Sequence, residues 1–125
     1  MVHQTSMRFF GRVSYDRHYG GTGHMGDEGA RVAGCLGDSE ILVMCNHGVM
    51  SVGKTVARAF DSIYHFERAV MFQIIATSTG KELAEVSDDV AKGVSDYIES
   101  CDDFQRQHLE AIKTVIARKE PDYRS

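Results

Sequence analysis

The 125-residue chain contains no tryptophan, a single proline at Pro121, and no apolar run that approaches the length of a membrane span. A transmembrane helix needs about 20 predominantly apolar residues, and the N-terminus also lacks the apolar core of a secretory signal peptide. Basic runs are missing, and the net charge is −4 at pH 7, which is unlike a nucleic-acid-binding surface. The sequence therefore predicts a cytoplasmic protein that binds neither membranes nor nucleic acids.

Cysteine is also scarce. The three residues Cys35, Cys45 and Cys101 are odd in number and widely spaced. A disulfide framework uses an even number of cysteines, and a zinc knuckle needs pairs a few residues apart. We therefore expect three reduced thiols in the core of a cytosolic protein.

What is present is the composition of one ordinary globular domain, with 42% hydrophobic and 26% charged residues,. Its organising stretch is residues 40–53, EILVMCNHGVMSVG. Residues 41–45 show no polar alternation, which predicts a strand buried on both faces inside a sheet. Residues 49–52 predict a second strand. Between them, His47 lies at the end of an interior strand, where ligands of α/β sheets usually bind; alternatively, it only hydrogen-bonds the turn.

Shorter elements precede this stretch. Residues 5–10 predict a short helix with Met7 and Phe10 facing inward, and residues 13–15 a short strand. Residues 20–23 form a glycine-rich connection. Residues 27–36 predict a helix with acidic residues at its positive end.

Two long helices are predicted downstream. Thr55 is a plausible N-cap for the first, which would end near Gly80. Helical spacing predicts a buried stripe of Val56, Phe60, Ile63, Val70 and Ile74. Glu67 falls within this stripe, and a buried carboxylate there would be either functional or, the preferred interpretation, paired with a buried donor.

The second helix would run from a cap at Ser87 towards Lys119. Its predicted stripe includes His108, which we interpret as packed rather than as a ligand; the other members are Val90, Val94, Tyr97, Cys101, Phe104, Ala111 and Val115.

Residues 48–55, GVMSVGKT, satisfy the phosphate-loop pattern G-x-x-x-x-G-K-[ST] between a strand and a helix,. Val49, Met50 and Val52 are bulky, however, and favour extended structure. A nucleotide site also needs an acidic residue at the end of another strand, and the chain after Thr55 is almost entirely helical. A nucleotide binder acting through Gly48 to Thr55 is therefore only a remote alternative.

Residues 42–60, LVMCNHGVMSVGKTVARAF, combine an apolar strand, Asn-His-Gly, a second strand, glycine and a helix that opens with Ala-x-Ala-Phe. This block resembles the class II aldolase/adducin family. Residues 64–69, YHFERA, resemble the family's aromatic-x-x-Glu segment, residues 3–21 are similar to the stretch before its short helix, and residues 120–123, EPDY, resemble the end of bacterial members.

The resemblance implies a partial three-layer α/β/α sandwich with short strands and long C-terminal helices. Family enzymes hold a divalent metal, usually zinc, with an His-x-His pair and the histidine of the Asn-His-Gly corner, which here is His47. The metal acts as a Lewis acid on a small hydroxy-carbonyl or sugar-phosphate substrate. His18 and His24 have no counterpart in that ligand set.

The His-x-His pair and the catalytic carboxylate would belong to a segment preceding residue 1. We therefore expect residues 1–125 to be one partial domain whose complete form is a zinc-dependent aldolase or epimerase. Residues 1–125 alone are expected to be inactive. Their expected partner is either the missing half or further copies of the same chain. His47 is the predicted metal ligand, and no catalytic or other cofactor-binding residue is predicted. The alternative is an adducin-like, non-catalytic, oligomerising module of the cytoskeleton.

Overall fold

The computed structural model describes residues 1–21 and 26–124. The sequence prediction for residues 22 and 23, and the candidate His24, lie outside this range. Helices and strands follow in the order α1 (Gln4–Met7), β1 (Val13–Asp16), α2 (Glu28–Leu36), β2 (Ile41–Met44), β3 (Gly48–Ser51), α3 (Val56–Ser78), α4 (Asp88–Glu99), α5 (Asp102–Lys119) and a 3₁₀ turn (Pro121–Arg124).

The strands form a sheet in the order β1-β2-β3. Strand β2 pairs in parallel with β1, Val13 opposite Ile41, and antiparallel with β3, Ile41 opposite Ser51. Ile41 and Leu42 are both 0% exposed. The predicted interior strand is therefore confirmed for Ile41–Met44, whereas Cys45 lies in the exposed turn that follows.

Helices cover both faces of this sheet. Successive side chains of each strand point to opposite faces, so a strand can contact helices on both sides. On one side the Ser14 hydroxyl donates to the Leu36 carbonyl of α2 over 3.2 Å. On the other side Ile41 packs with Phe9, Phe66 and Ala69 in the core. The α/β class and its helix–sheet–helix layering are thus confirmed.

Helix α3 has the predicted ends but a different buried face. The Thr55 hydroxyl accepts the Arg58 N–H over 3.1 Å, and Gly80 follows the helix with φ +65°. The predicted stripe is wrong for most of its members: Val56 and Ile74 are 79% and 61% exposed, and Glu67 and Val70 are exposed, whereas Phe60 and Ile63 are half-buried. The buried residues of α3 are Asp61, Ser62, Phe66 and Ala69.

The predicted single helix over residues 87–119 is also wrong. Ser87 does cap a helix, accepting from the Val90 N–H. That helix, α4, ends at Glu99 with Ser100 as its C-cap, and α5 starts at Asp102. The stripe fails with it, since Tyr97 is 66% and Phe104 61% exposed.

Two further predictions concern the burial of the cysteines and the conformation of residues 48–51. Cys45 is exposed and Cys35 and Cys101 are half-buried, so the prediction of core thiols is wrong. Gly48–Ser51 is a paired strand, which confirms the extended conformation expected in place of a phosphate loop. In the described part of the chain, no helix combines the length and the apolarity needed to cross a bilayer.

Candidate functional site

The Asn-His-Gly corner lies at the carboxyl ends of the parallel strands β1 and β2. The Cys45 N–H donates to the Asp16 carbonyl over 2.9 Å, and the His47 N–H donates to the Met44 carbonyl over 3.2 Å. Asn46 turns the chain with φ +55°. The turn is therefore closed by backbone groups, whereas the exposed His47 ring makes no hydrogen bond to a described residue.

This corner opens on a cavity of about 360 Å³. Strand ends, the His47 turn and helix α2 contribute to its walls, which include Asp16, His18, Glu28, Arg31, Cys45 and His47. A cleft at the carboxyl ends of parallel strands is the usual ligand position in α/β sheets. The structure thus brings His18 and His47 to one small-molecule-sized cleft.

The acidic groups of this cavity are held by one guanidinium. Arg31 donates to both oxygens of Asp16, over 2.9 and 2.7 Å, and to both oxygens of Glu28, over 2.7 and 2.6 Å. Arg31 and the His18 N–H lower the pKa of Asp16 to about 2, and Arg31 also lowers the pKa of Glu28. Arg31 is therefore neutralised by two carboxylates.

The residues described at this corner do not form a metal site by themselves. Both oxygens of Asp16 are bonded to Arg31. Among the described residues, no group of three possible metal ligands includes His47. One imidazole does not hold zinc, which takes three or four protein ligands. The role of His47 as a metal ligand stays a prediction that needs donors from outside these residues.

A second polar cluster, missed by the sequence analysis, joins α3 to α5. Asp61 is 3% exposed, and its Oδ2 accepts from Arg8 over 2.5 Å. Its Oδ1 lies 2.8 Å from His108 Nδ1 and 3.4 Å from His65 Nε2. We call Asp61, His65 and His108 the helix-pair cluster.

Burial of the helix-pair cluster raises the pKa of Asp61, but hydrogen bonds from His65 and His108, together with Arg8, outweigh burial and hold that pKa far below its usual range. The carboxylate is therefore ionised at any physiological pH. His108 is half-buried as expected, but it faces a carboxylate rather than an apolar stripe. The one sequence signal that could have indicated this site is the i,i+4 spacing of Asp61 and His65, since His108 is distant in sequence.

A larger cavity, of about 690 Å³, lies where the phosphate-loop pattern ends. Lys54 and Thr55 contribute to its wall, but so do Glu40, Glu99 and Asp103. Arg58 and Arg106 also line the cavity, but their guanidinium groups are already paired with these carboxylates. This environment gives no support to nucleotide binding.

Comparison with known proteins places this fold among characterised domains. The family model described as "Class II Aldolase and Adducin N-terminal domain" matches residues 1–74. A crystal structure of an aldolase II superfamily protein from Pseudomonas syringae superimposes with a TM-score of 0.85 at 30% identity, covering 99% of this chain and 50% of that one.

Two curated relatives match over shorter ranges. An aldolase class 2 protein of Pseudomonas aeruginosa is 32% identical over 95 residues, which are 76% of this chain and 36% of the relative. Human β-adducin is 40% identical over 65 residues, which are 50% of this chain and 9% of adducin. The chain thus spans about a third of the length of the first relative and less than a tenth of the second.

Proposed function

Because the chain belongs to the class II aldolase and adducin family, we propose that it supplies the Asn-His-Gly corner of a divalent-metal-dependent lyase or epimerase for small hydroxy-carbonyl or sugar-phosphate substrates. We propose that the metal is zinc and that histidines from a segment outside residues 1–125 would complete its coordination shell. Bound there, it would supply Lewis-acid stabilisation of negative charge on substrate oxygens. We propose that the 125 residues alone do not catalyse the reaction.

The observation that carries this proposal is the placement of the His47 ring. The backbone N–H groups of Cys45 and His47 donate to the carbonyls of Asp16 and Met44 and fix the turn. The His47 ring stays exposed and borders a cavity of about 360 Å³. A ligand histidine needs a rigid backbone and a free ring nitrogen, and this corner supports both.

The charges of the cavity indicate which part of a substrate this chain would contact. Arg31 is saturated by Asp16 and Glu28, so it offers little attraction to a phosphate. The imidazoles of His18 and His47 and the Tyr19 side chain suit hydrogen bonds to hydroxyl or carbonyl groups,. We propose that this chain binds the hydroxy-carbonyl end and that phosphate contacts come from elsewhere.

The first test is the mass of the endogenous protein, by immunoblot and intact-mass spectrometry. We expect a species well above the 13.9 kDa of this chain, or a 13.9 kDa chain in complex with a partner that carries an His-x-His pair. The purified species should contain zinc and cleave or epimerise a small hydroxy-carbonyl or sugar-phosphate substrate.

In that species His47→Ala should lower kcat/KM about a hundredfold or more, because a metal ligand is lost. The matched control is Lys92→Ala, an exposed side chain on α4, which should leave kcat/KM unchanged. Aldol cleavage by the isolated 125 residues, abolished by His47→Ala, would overturn the proposal of an inactive part.

A second candidate is an adducin-like, non-catalytic module that acts through association with the cytoskeleton. The identity to β-adducin favours it, as does the lack, among the described residues, of a three-ligand group that includes His47. It predicts that His47→Ala leaves the zinc content, the assembly and the actin co-sedimentation of the endogenous species unchanged. The enzyme proposal instead predicts that His47→Ala lowers the zinc content, so the change in zinc content on this substitution separates the two candidates.

A further inference from the structure

We propose that the helix-pair cluster is a second metal site, specific for late first-row divalent ions such as Zn²⁺. Its three ligand atoms, one carboxylate oxygen and two imidazole nitrogens, lie within 4.8 Å of one another. The site is separate from the His47 corner, since none of its residues borders that cavity. It does not depend on the proposed function, because all its ligands belong to this chain.

One donor spacing matches that of a tetrahedral ion, and a second is shorter. Bonds of about 2.0–2.2 Å to nitrogen and oxygen place neighbouring ligand atoms roughly 3.3–3.5 Å apart. Asp61 Oδ1 lies 3.4 Å from His65 Nε2 and 2.8 Å from His108 Nδ1. A shift of the His108 ring away from Asp61 would admit the ion, and the His65 side chain, which is 33% exposed, brings the cluster into contact with solvent.

Neighbouring groups orient the three ligands. Arg8 occupies Oδ2 of Asp61 and leaves Oδ1 directed at the imidazoles. The Tyr64 ring packs edge-on against both histidine rings, with centroids 5.3 Å from His65 and 4.7 Å from His108. Such outer contacts fix ring orientation before a metal arrives.

Charge and ligand type decide which ions bind. The Asp61 carboxylate is ionised, and imidazole favours Zn²⁺, Ni²⁺ and Co²⁺ over Mg²⁺. Arg8 neutralises part of the carboxylate charge, so we expect weaker binding than at a closed four-ligand zinc site. Binding moves the hydrogen of the His108 nitrogen that faces Asp61 to the other ring nitrogen or to solvent.

A metal here would join α3 to α5, whose ligands are 47 residues apart in sequence. An ion that binds only the folded state raises the unfolding temperature by mass action. The experiment is therefore thermal unfolding of the EDTA-treated 125-residue chain in Zn²⁺ or Mg²⁺, together with isothermal titration calorimetry. We expect Zn²⁺ to raise Tm by several degrees and Mg²⁺ to leave it unchanged.

Variants locate the site. His65→Ala and His108→Ala should each weaken Zn²⁺ affinity at least about tenfold, whereas His47→Ala should not change it. The His65 side chain is 33% exposed, so its variant is expected to fold even if His108→Ala does not. Absence of Zn²⁺ binding, or binding that His65→Ala leaves intact, would overturn the proposal.

Co²⁺ spectroscopy excludes a rival explanation. The chain has three cysteines that form no disulfide, and their thiols could capture zinc by themselves. Co²⁺ at the helix-pair cluster should give visible ligand-field bands without a thiolate charge-transfer band in the near ultraviolet. A charge-transfer band that Cys45→Ser removes would assign the ion to sulfur and contradict the proposed site.

Discussion

At the scale of single residues, the buried pair of Arg8 and Asp61 is costly to disturb. Their side chains are 12% and 5% exposed, and removing one partner of such a pair leaves an uncompensated buried charge. Asp61→Ala should lower the free energy of unfolding by about 3–5 kcal/mol, measured by urea denaturation in EDTA.

The matched control for Asp61→Ala is Asp96→Ala. Asp96 forms a 2.6 Å pair with Lys92 on the surface of α4, where both side chains are about two-thirds exposed. Exposed pairs contribute at most about 1 kcal/mol, so this variant should be close to wild type. Equal effects of the two substitutions would show that burial of the Arg8–Asp61 pair is unimportant.

Asp16 makes the free energy of unfolding depend on pH in the acidic range. Its pKa is lowered to about 2 in the folded state from an ordinary value of 3.8. A depressed carboxyl pKa contributes stability that is complete above the unfolded value and is lost as the pH falls through the folded value. The contribution of Asp16 should therefore decline between about pH 4 and pH 2.

Asp16→Asn isolates this effect from the other carboxylates. The difference in unfolding free energy between wild type and Asp16→Asn should be constant from neutral pH to about pH 5 and should shrink towards pH 2. Urea denaturation at several pH values measures it. A difference that does not change with pH would show that Arg31 does not stabilise the ionised form.

At the scale of elements, two glycines should respond in opposite directions to alanine. A Cβ at Gly53 would lie 2.8 Å from Arg58 Cγ and 2.9 Å from the backbone nitrogen of Ala59. The backbone of α3 cannot move aside easily, so Gly53→Ala should destabilise by about 1–3 kcal/mol.

Gly93 is the matched control within α4, because a Cβ there would meet no atom within 4 Å. Alanine loses less conformational entropy in a helix, so Gly93→Ala should stabilise by about 0.5–1 kcal/mol. Thermal and urea unfolding of both variants provide the comparison. Destabilisation by both would mean that Gly53 has no special contact with α3.

Local signals of the sequence correctly predicted where several elements begin and what type they are. The Thr55 hydroxyl, the unbroken apolar run before Asn46 and the conformation of Gly80 act over a few residues, so they can be read without the fold. The face of a helix that is buried depends on its tertiary partners. Helix α3 carries apolar residues on several sides, and periodicity alone selected Val56 and Ile74 over Phe66 and Ala69.

The break between α4 and α5 illustrates the same limit. It occurs at Ser100 and Cys101, with neither proline nor glycine to mark it. The Ser100 hydroxyl donates to the Tyr97 carbonyl over 2.7 Å and helps to end α4. The helix-pair cluster could not be predicted from the sequence either, because Asp61 contacts His108 only when α3 packs on α5.

At the scale of the whole molecule, the second half of α3 presents a long apolar surface. Phe72 contacts the His3 ring, yet Ile74 and Ile75 are 61% and 56% exposed, and Val70 and Met71 are about 40% exposed. Adjacent apolar side chains of this kind mark interaction surfaces. We propose that further copies of this chain, or the remainder of a family domain, cover this surface.

The isolated chain should therefore self-associate as its concentration rises, measured by sedimentation velocity. Replacing both Ile74 and Ile75 with lysine should shift the population to monomer, because two charges would have to be desolvated at the contact. Thr77→Lys, one charge at an exposed polar position of the same helix, is the matched control and should shift it much less. If all three proteins sediment as monomers at every concentration, the apolar surface of α3 does not mediate self-association, and the other occupant, the remainder of the domain, would be the one to test.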